Sequence, residues 1–362
     1  MLKAAAYLIL AGALATQAQT PNYKVELPKD SPLVLVSDDW GASSAAPRGG
    51  AFVIDLDASL SFRNTGARRV RSVTLSVLAQ ELTPGGKGSV AVPSLDVIPG
   101  DTFPVRIDLH LLRPLGGGGP QIVVALDGVL FDDLSFYGPD KLNSRRTMTV
   151  WEMEARRDRK YFKSVLAQAG AEGLRNEMLA SLDRQADRPQ YGVQVMRGRS
   201  TNADPERQVQ FAFLHLPDAP VDPTGGLARV AGNEVRAPRV DVQSRSERTI
   251  RHLEIGWIVE DQSGRKFLAG SVPADLNLAP KGSTEVLEDA ALRFPDVKAL
   301  HGMTGFVSSV EFSDGSCWIP SRAALDDPLL KRVASPSPEE QRRARIYKTK
   351  GLDALVAELK KF

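Results

Sequence analysis

Histidine, cysteine and clustered carboxylates are where chemistry would start, and this sequence holds few of them. The four histidines, His110, His215, His252 and His301, stand isolated from one another, so neither an HExxH helix nor a paired-histidine metal site is present. Cys317 is the only cysteine, which rules out an intramolecular disulfide and a thiolate-rich zinc site built from one chain. It is expected to act as a small buried apolar residue. No Gly-x-Ser-x-Gly elbow occurs. The glycine run from Gly116 to Gly119 leads into Pro120, without the Lys-Ser or Lys-Thr a phosphate-cradling loop needs, and reads as a hairpin tip. No catalytic residue, metal or cofactor is therefore expected.

The acidic pairs Asp38-Asp39, Asp132-Asp133 and Asp326-Asp327 could offer oxygen to calcium, but no EF-hand spacing of Asp, Gly and Glu surrounds them. Aspartate at a hairpin tip is common for backbone reasons alone. Among the tryptophans, Trp257 and Trp318 fall on alternating apolar positions and read as core, whereas Trp40 sits in the loop-like Ser37-Asp38-Asp39-Trp40-Gly41. An exposed Trp40 would mark a contact site. The other candidate is the tail from Lys331 to Phe362, with 9 basic and 4 acidic residues. The candidate contact residues are thus Trp40, Asp38 and Asp39, with Arg342, Arg343 and Arg345.

The elements that would position such residues follow from composition and pattern. With 362 residues, 42% hydrophobic and 25% charged, the chain has room for two ordinary cores. Its 46 basic and 44 acidic residues give a net charge of +2, so no broad field draws nucleic acid. Met1-Leu2-Lys3, an apolar stretch from Ala4 to Ala15 and small residues at Ala13, Ala15 and Ala18 have the pattern of a secretory signal peptide over 1–18. The stretch is too short for a transmembrane anchor.

An internal repeat organises the rest. Leu60, Phe62, Val70, Val73, Leu75 and Val77 coincide with Val240, Val242, Ile250, Leu253, Ile255 and Trp257 at an offset of 180. At an offset of 181, Leu95, Pro99, Val105, Phe131, Asp133, Ser135, Tyr137 and Pro139 meet Leu276, Pro280, Val286, Phe312, Asp314, Ser316, Trp318 and Pro320. A near-constant offset joining turns to apolar strands points to a duplicated domain rather than a solenoid unit. Within each copy the apolar period is two: Val73, Leu75 and Val77 alternate with Thr74 and Ser76, as half-buried strands do. Asn64-Thr65-Gly66, Asp261-Gln262-Ser263-Gly264 and Ser313-Asp314-Gly315-Ser316 supply turns.

The succession of an Asn-Thr-Gly turn at Asn64, an alternating strand and a leucine before Pro-Gly, Leu95 to Pro99-Gly100, resembles the FxLYD-type and related immunoglobulin-like modules of bacterial exported proteins. The second copy departs from it, with Ser244-Arg245-Ser246 and Pro280-Lys281-Gly282. The resemblance implies a fold, not a function.

Between the copies, from Leu142 to Arg188, helix-forming residues dominate. Gly170 and Gly173 divide that region, and its mixed charges read as a solvated helix face. In the tail, Ser337-Pro338-Glu339-Glu340 forms a capping box with proline at the first helical position. That helix is expected to run to Lys348, break near Gly351 and resume through Leu352, Leu355 and Leu359.

The fold expected is mainly β with a helical spacer: two tandem immunoglobulin-like antiparallel β-sandwiches over 23–141 and 189–325, a helical linker over 142–188 and C-terminal helices over 326–362. The function expected is that of an exported, non-catalytic adaptor or structural protein, periplasmic or extracellular, whose partner is another envelope or secreted protein. A glycan or small ligand, or service as an accessory domain of an envelope enzyme, is the alternative.

Overall fold

Alternation of apolar and polar residues builds sheets here, and the computed structural model describes them over residues 22–82, 84–115, 121–186, 194–196, 204–287 and 291–361. The expected signal peptide, the glycine run from Gly116 to Gly119 and part of the segment between the expected copies lie outside the described residues. The molecule is mainly β, and it divides into two units, Met1–Arg145 and Arg146–Phe362.

The first unit contains β1 (Tyr23–Glu26), β2 (Leu33–Asp39), β3 (Ser44–Arg48), β4 (Ala51–Asn64), β5 (Val70–Leu78), β6 (Lys87–Val92), β7 (Thr102–Pro114), β8 (Ile122–Phe131) and β9 (Phe136–Tyr137). One sheet runs β1-β8-β5-β6, with β9 on β8; in the other, β2 and β3 pair successively along β4, and β7 pairs its opposite edge. The alternation of β4 sends Ile54, Leu56, Ala58, Leu60 and Phe62 inward and Asp55, Asp57 and Ser59 outward. Those inward residues share one core with Val73, Leu75 and Val77 of β5 and Val124 and Val129 of β8. Each such side chain contributes about 1.5–3 kcal/mol by burial.

Helix α1 (Ser144–Ala186) starts at the end of this unit. Buried Asp127 accepts from Lys141 N (2.9 Å) and Ser144 Oγ (2.6 Å), which anchors the chain entering the helix. The rest of α1 belongs to the second unit.

There follow β10 (Gln194–Met196), β11 (Arg207–Gln210), β12 (Ala212–Phe213), β13 (Val221–Ala231), β14 (Glu234–Ser244), β15 (Ile250–Asp261), β16 (Lys266–Leu278), β17 (Ser283–Leu287), β18 (Ala291–Arg293), β19 (Leu300–Phe312) and β20 (Cys317–Trp318). The sheets are β12-β19-β15-β16, with β20 on β19, and β10-β18-β14-β13-β11, with β17 on β14. They share a core that includes Val240, Val242, Leu253, Ile255, Trp257 and Phe312.

Three helices close the chain: α2 (Arg322–Leu325), α3 (Pro328–Val333) and α4 (Pro338–Leu359). Ser337 caps α4 by accepting from Glu340 N (3.1 Å) with Pro338 in the first turn, as expected. The reciprocal half of the box is absent, because the Glu340 carboxylate turns to Ser181 instead. Gly351 (φ 84°, ψ −178°) breaks α4 where the sequence placed the break, and Gly170 (φ 66°, ψ −166°) does the same in α1. Both angles lie where a β-carbon is disfavoured.

Candidate functional site

Within the second unit, α1 and the three terminal helices enclose most of its buried charge. Their N-termini are fixed by side chains: Ser321 accepts from Ala324 N (3.2 Å), and Asp327 accepts from Leu329 N (2.8 Å) and Leu330 N (3.2 Å). Ser337 does double duty, since its hydroxyl also donates to Asp158 Oδ2 of α1 at 2.5 Å. That bond pins the start of α4 to α1.

Next to it stands an open cleft lined by Ser181, Arg184, Gln185, Arg322 and Glu340 together with the apolar Leu325 and Leu330. Glu340 accepts from Ser181 Oγ (2.6 Å), Arg184 Nη2 (3.4 Å) and Arg322 Nη1 (3.5 Å). Glu177 faces Arg184 Nη2 at 3.3 Å and Arg322 Nη2 at 3.6 Å. The Arg322 guanidinium also lies over the Tyr161 ring, 4.1 Å from its centroid. Burial works against the charge on Arg322, but Glu340, Asp158 and Glu177 outweigh it and hold its pKa above the ordinary value. Burial, with Glu177 adding to it, pushes the Tyr161 hydroxyl up.

Deeper in the same helices is a second set of ions. Arg159 Nη2 donates to Glu152 Oε1 at 2.6 Å, and Arg156 Nε does so at 3.1 Å. Glu339, fully buried, is paired with the fully buried Arg343 and lies 3.8 Å from Arg342 Nη1 and 3.9 Å from Arg159 Nη1. Burial lowers the pKa of Arg343, against the pull of Glu339. Beside this set, burial raises half-buried Glu154 to about 7; Arg157 opposes the shift, while Asp158 and Glu254 add to it.

This is a correction to the sequence reading. The mixed charges of α1 were expected to form a solvated face, yet Glu152, Asp158 and Arg159 are buried. Opposite charges at helical spacing look the same in sequence whether they face water or each other. The available signal was the i, i+4 pairing of Glu152 with Arg156 and of Glu339 with Arg343.

Chemically the arrangement clamps. Ser181 and Ser337 each donate to a carboxylate, but a general base must be free to take a proton near working pH, and both carboxylates are held by arginines. The lining also includes Gln185, Asp326 and Lys331, the last lying 3.5 Å from Asp326. Its lining includes no aromatic ring.

The contact residues read from sequence sit as follows. Trp40 is 5% exposed; it stacks on Tyr23 with ring centroids 3.5 Å apart and donates from Nε1 to Asp38 Oδ2 at 2.6 Å. The condition for a contact site there, an exposed indole, is not met. Asp39 accepts from Gly41 N (2.9 Å) to close the turn, and burial, then Asp38 and Asp39, raises the Tyr23 pKa. Arg343 is fully buried, Arg342 pairs with Glu358, and Arg345 is exposed. Trp257 is in the core, while Cys317 and Trp318 are half-buried. Of the acidic pairs, Asp133 accepts from the serine two residues on, as Asp314 does at the other hairpin tip, and Asp327 caps α3. Among the described residues no three His, Cys, Asp or Glu side chains gather closely enough to hold a metal.

In the first unit the outer surface of β4 and β7 is charged. Asp55 faces His110 Nδ1 at 2.5 Å, Arg106 Nη2 reaches Asp57 at 3.3 Å, and Asp108 lies directly opposite Asp57.

No family model and no curated protein matches the chain. Among solved structures, red sea bream transglutaminase aligns at 11% identity and a TM-score of 0.13, covering 76% of this chain and 31% of that one. A β-glucosidase from Kluyveromyces marxianus aligns at 8% identity and a TM-score of 0.18, covering 74% of this chain and 45% of that one. The chain thus spans less than half the length of either, and likenesses this low carry no argument about fold or activity. Among the described residues no helix is long and apolar enough to cross a membrane.

Proposed function

We propose that this is an exported, non-catalytic adaptor or structural protein, in which two copies of one immunoglobulin-like β-sandwich present sheet faces to another envelope or secreted protein. The observation that carries the reading is the match in strand pairing between the units. In each, a short strand runs parallel to a long one, β1 on β8 and β12 on β19, and that long strand pairs antiparallel with β5 or β15. The β5–β8 ladder shifts register between Val70 and Ser72 and between Thr74 and Leu75; the β15–β19 ladder shifts between Ile250 and His252 and between Glu254 and Ile255. Bulges at the same offset of 180 are hard to obtain by convergence, because each is a local device fixed by its own surroundings.

The hairpin tips agree as well. Arg68 donates to Asp133 Oδ2 (3.3 Å) and Ser135 and lies over Phe131; Arg248 donates to Asp314 Oδ2 (3.3 Å) and Ser316 and lies over Phe312. Where the second copy lacks the asparagine of Asn64-Thr65-Gly66, Ser244 Oγ accepts from Ser246 N (3.2 Å), as Asn64 Oδ1 accepts from Gly66 N (3.0 Å). Arginine closure of both buried Ser-carboxylate pairs supports a structural rather than a chemical use of the cleft.

The test is capture with the chain from Gln19 onward as bait against envelope and secreted fractions of its source, with bound proteins and glycans read by mass spectrometry. Binding must then be measured with the purified candidate. A protein that binds directly supports the adaptor reading. Capture of glycan alone, or release of a chemically altered ligand, overturns it.

A further inference from the structure

We propose that the outer edge of β7 in the first unit pairs with the same edge of a second copy of this chain, in an antiparallel register centred on Ile107. The proposal goes beyond the adaptor reading, because it concerns self-association and needs no other partner.

Three observations lead to it. First, among the described residues no strand pairs with the edge over residues 104–110, while Gly85 and Gly88 lie against Leu112 and Leu109 at its end. β7 is thirteen residues long and among the described strands pairs only with β4. In the second unit, by contrast, β18 carries β10 on its outer side and β13 carries β11. A long strand with unpaired N–H and C=O groups is a template for another strand.

Second, the open groups can be identified. Leu112 N–H turns away from β4 to Gly85 O at 2.9 Å, while Asp101 O turns toward β4 to accept from Asn64 N at 2.9 Å. Even-numbered residues of β7 therefore face the free edge. Arg106, Asp108 and His110 offer both backbone groups there, and Pro104 offers its carbonyl. Leu112 is already occupied, which confines pairing to residues 104–110.

Third, the side chains are self-complementary in one register. Asp108 lies opposite Asp57 on β4, and like charges directly opposite are unfavourable. Arg106 reaches Asp57, whereas Asp108 has no ion-pair partner among the described residues. Pairing centred on Ile107 sets Arg106 of each copy opposite Asp108 of the other, twice by symmetry. Centring on Asp108 sets carboxylate against carboxylate, centring on Arg106 sets guanidinium against guanidinium, and centring on Leu109 needs the occupied Leu112.

The test is sedimentation velocity over a concentration series on the chain from Gln19 onward and on R106D, D108R and the double variant R106D/D108R. Circular dichroism and thermal midpoints verify folding. Each single reversal opposes like charges across the edge and should raise the dimer dissociation constant roughly tenfold or more. The double variant restores unlike pairs and should dimerise again. An equimolar mixture of R106D and D108R should form heterodimers, since every facing pair is then unlike. If a reversal fails to fold, the neutral R106Q and D108N variants should weaken the dimer to a smaller degree. A chain monomeric at its highest soluble concentration overturns the proposal, as does a dimer indifferent to all of these variants.

Discussion

The two units solve the same packing problem with different coverings. Ser76 pairs across the ladder with Ala125 in the first unit, and its hydroxyl bonds the Ala125 carbonyl at 3.3 Å. At the matching place in the second unit Gly256 pairs with Phe306, whose ring would stand 2.5 Å from any β-carbon on residue 256. Phe306 packs with Leu330 and Val333 of α3. At this place the first unit carries a small polar pair, whereas the second carries an apolar ring packed against helix. The helices that provide the cover bring buried ions with them. The two units thus differ at this face even where their strand pairings agree.

The largest effect should come from those ions. Arg343→Met strips the main partner from buried Glu339 and should cost about 3–5 kcal/mol in the second unit, read as a fall of one calorimetric transition while the other stays in place. Glu339→Leu combined with Arg343→Met should lose less than the single variant, because an apolar pair leaves no buried charge.

A titration sharpens the contrast. Glu154 has a folded pKa raised to about 7 from 4.5, so its neutral form favours folding. That contribution is full below pH 4.5 and is lost as pH rises through 7. Glu154→Gln should therefore exceed the native chain in stability by about 2 kcal/mol at pH 8, with the gap closing toward pH 5 in denaturant titrations. No gain at pH 8 would mean the carboxylate is solvated.

Making the second unit resemble the first should do harm. Gly256→Ser drives a side chain into Phe306 and should cost about 1–3 kcal/mol, and Phe306→Ala in the same chain should relieve part of the clash. Equal unfolding midpoints for G256S and the native chain would show that the ring moves aside freely.

The smallest effects belong to the exposed hairpin tips, where the units agree. Hydrogen bonds from the Ser135 hydroxyl and amide, with Arg68 beside them, lower Asp133 to about 2, and the same kind of contacts lower Asp314. Stability from such a depressed carboxylate is present above pH 3.8 and is lost as pH falls through about 2. Asp133→Asn and Asp314→Asn should each flatten the acid limb of the stability profile slightly and alike. A large difference between them would break the correspondence of the tips.

Much of the frame was legible in the residues. Alternation at Val73, Leu75 and Val77, the turns at Asn64 and Ser313, the cap at Ser337 and the break at Gly351 are all local, and local sterics and hydrogen bonding set them. The candidate site was less legible. Trp40 read as a loop residue because nothing nearby in sequence announces Tyr23, its stacking partner. The arginines of the tail read as surface because a charged side chain is normally solvated, and only a carboxylate brought from elsewhere lets one be buried.

The sequence by itself determined strand period, turn chemistry, helix ends and the repeat offset, since each depends on neighbours within a few residues or on comparing the chain with itself. Tertiary structure alone decided which charges face water and which face each other, and which strand edges stay open. Those outcomes depend on desolvation and on pairing between residues far apart in the chain, as when Ser337 reaches Asp158 and Ser181 reaches Glu340.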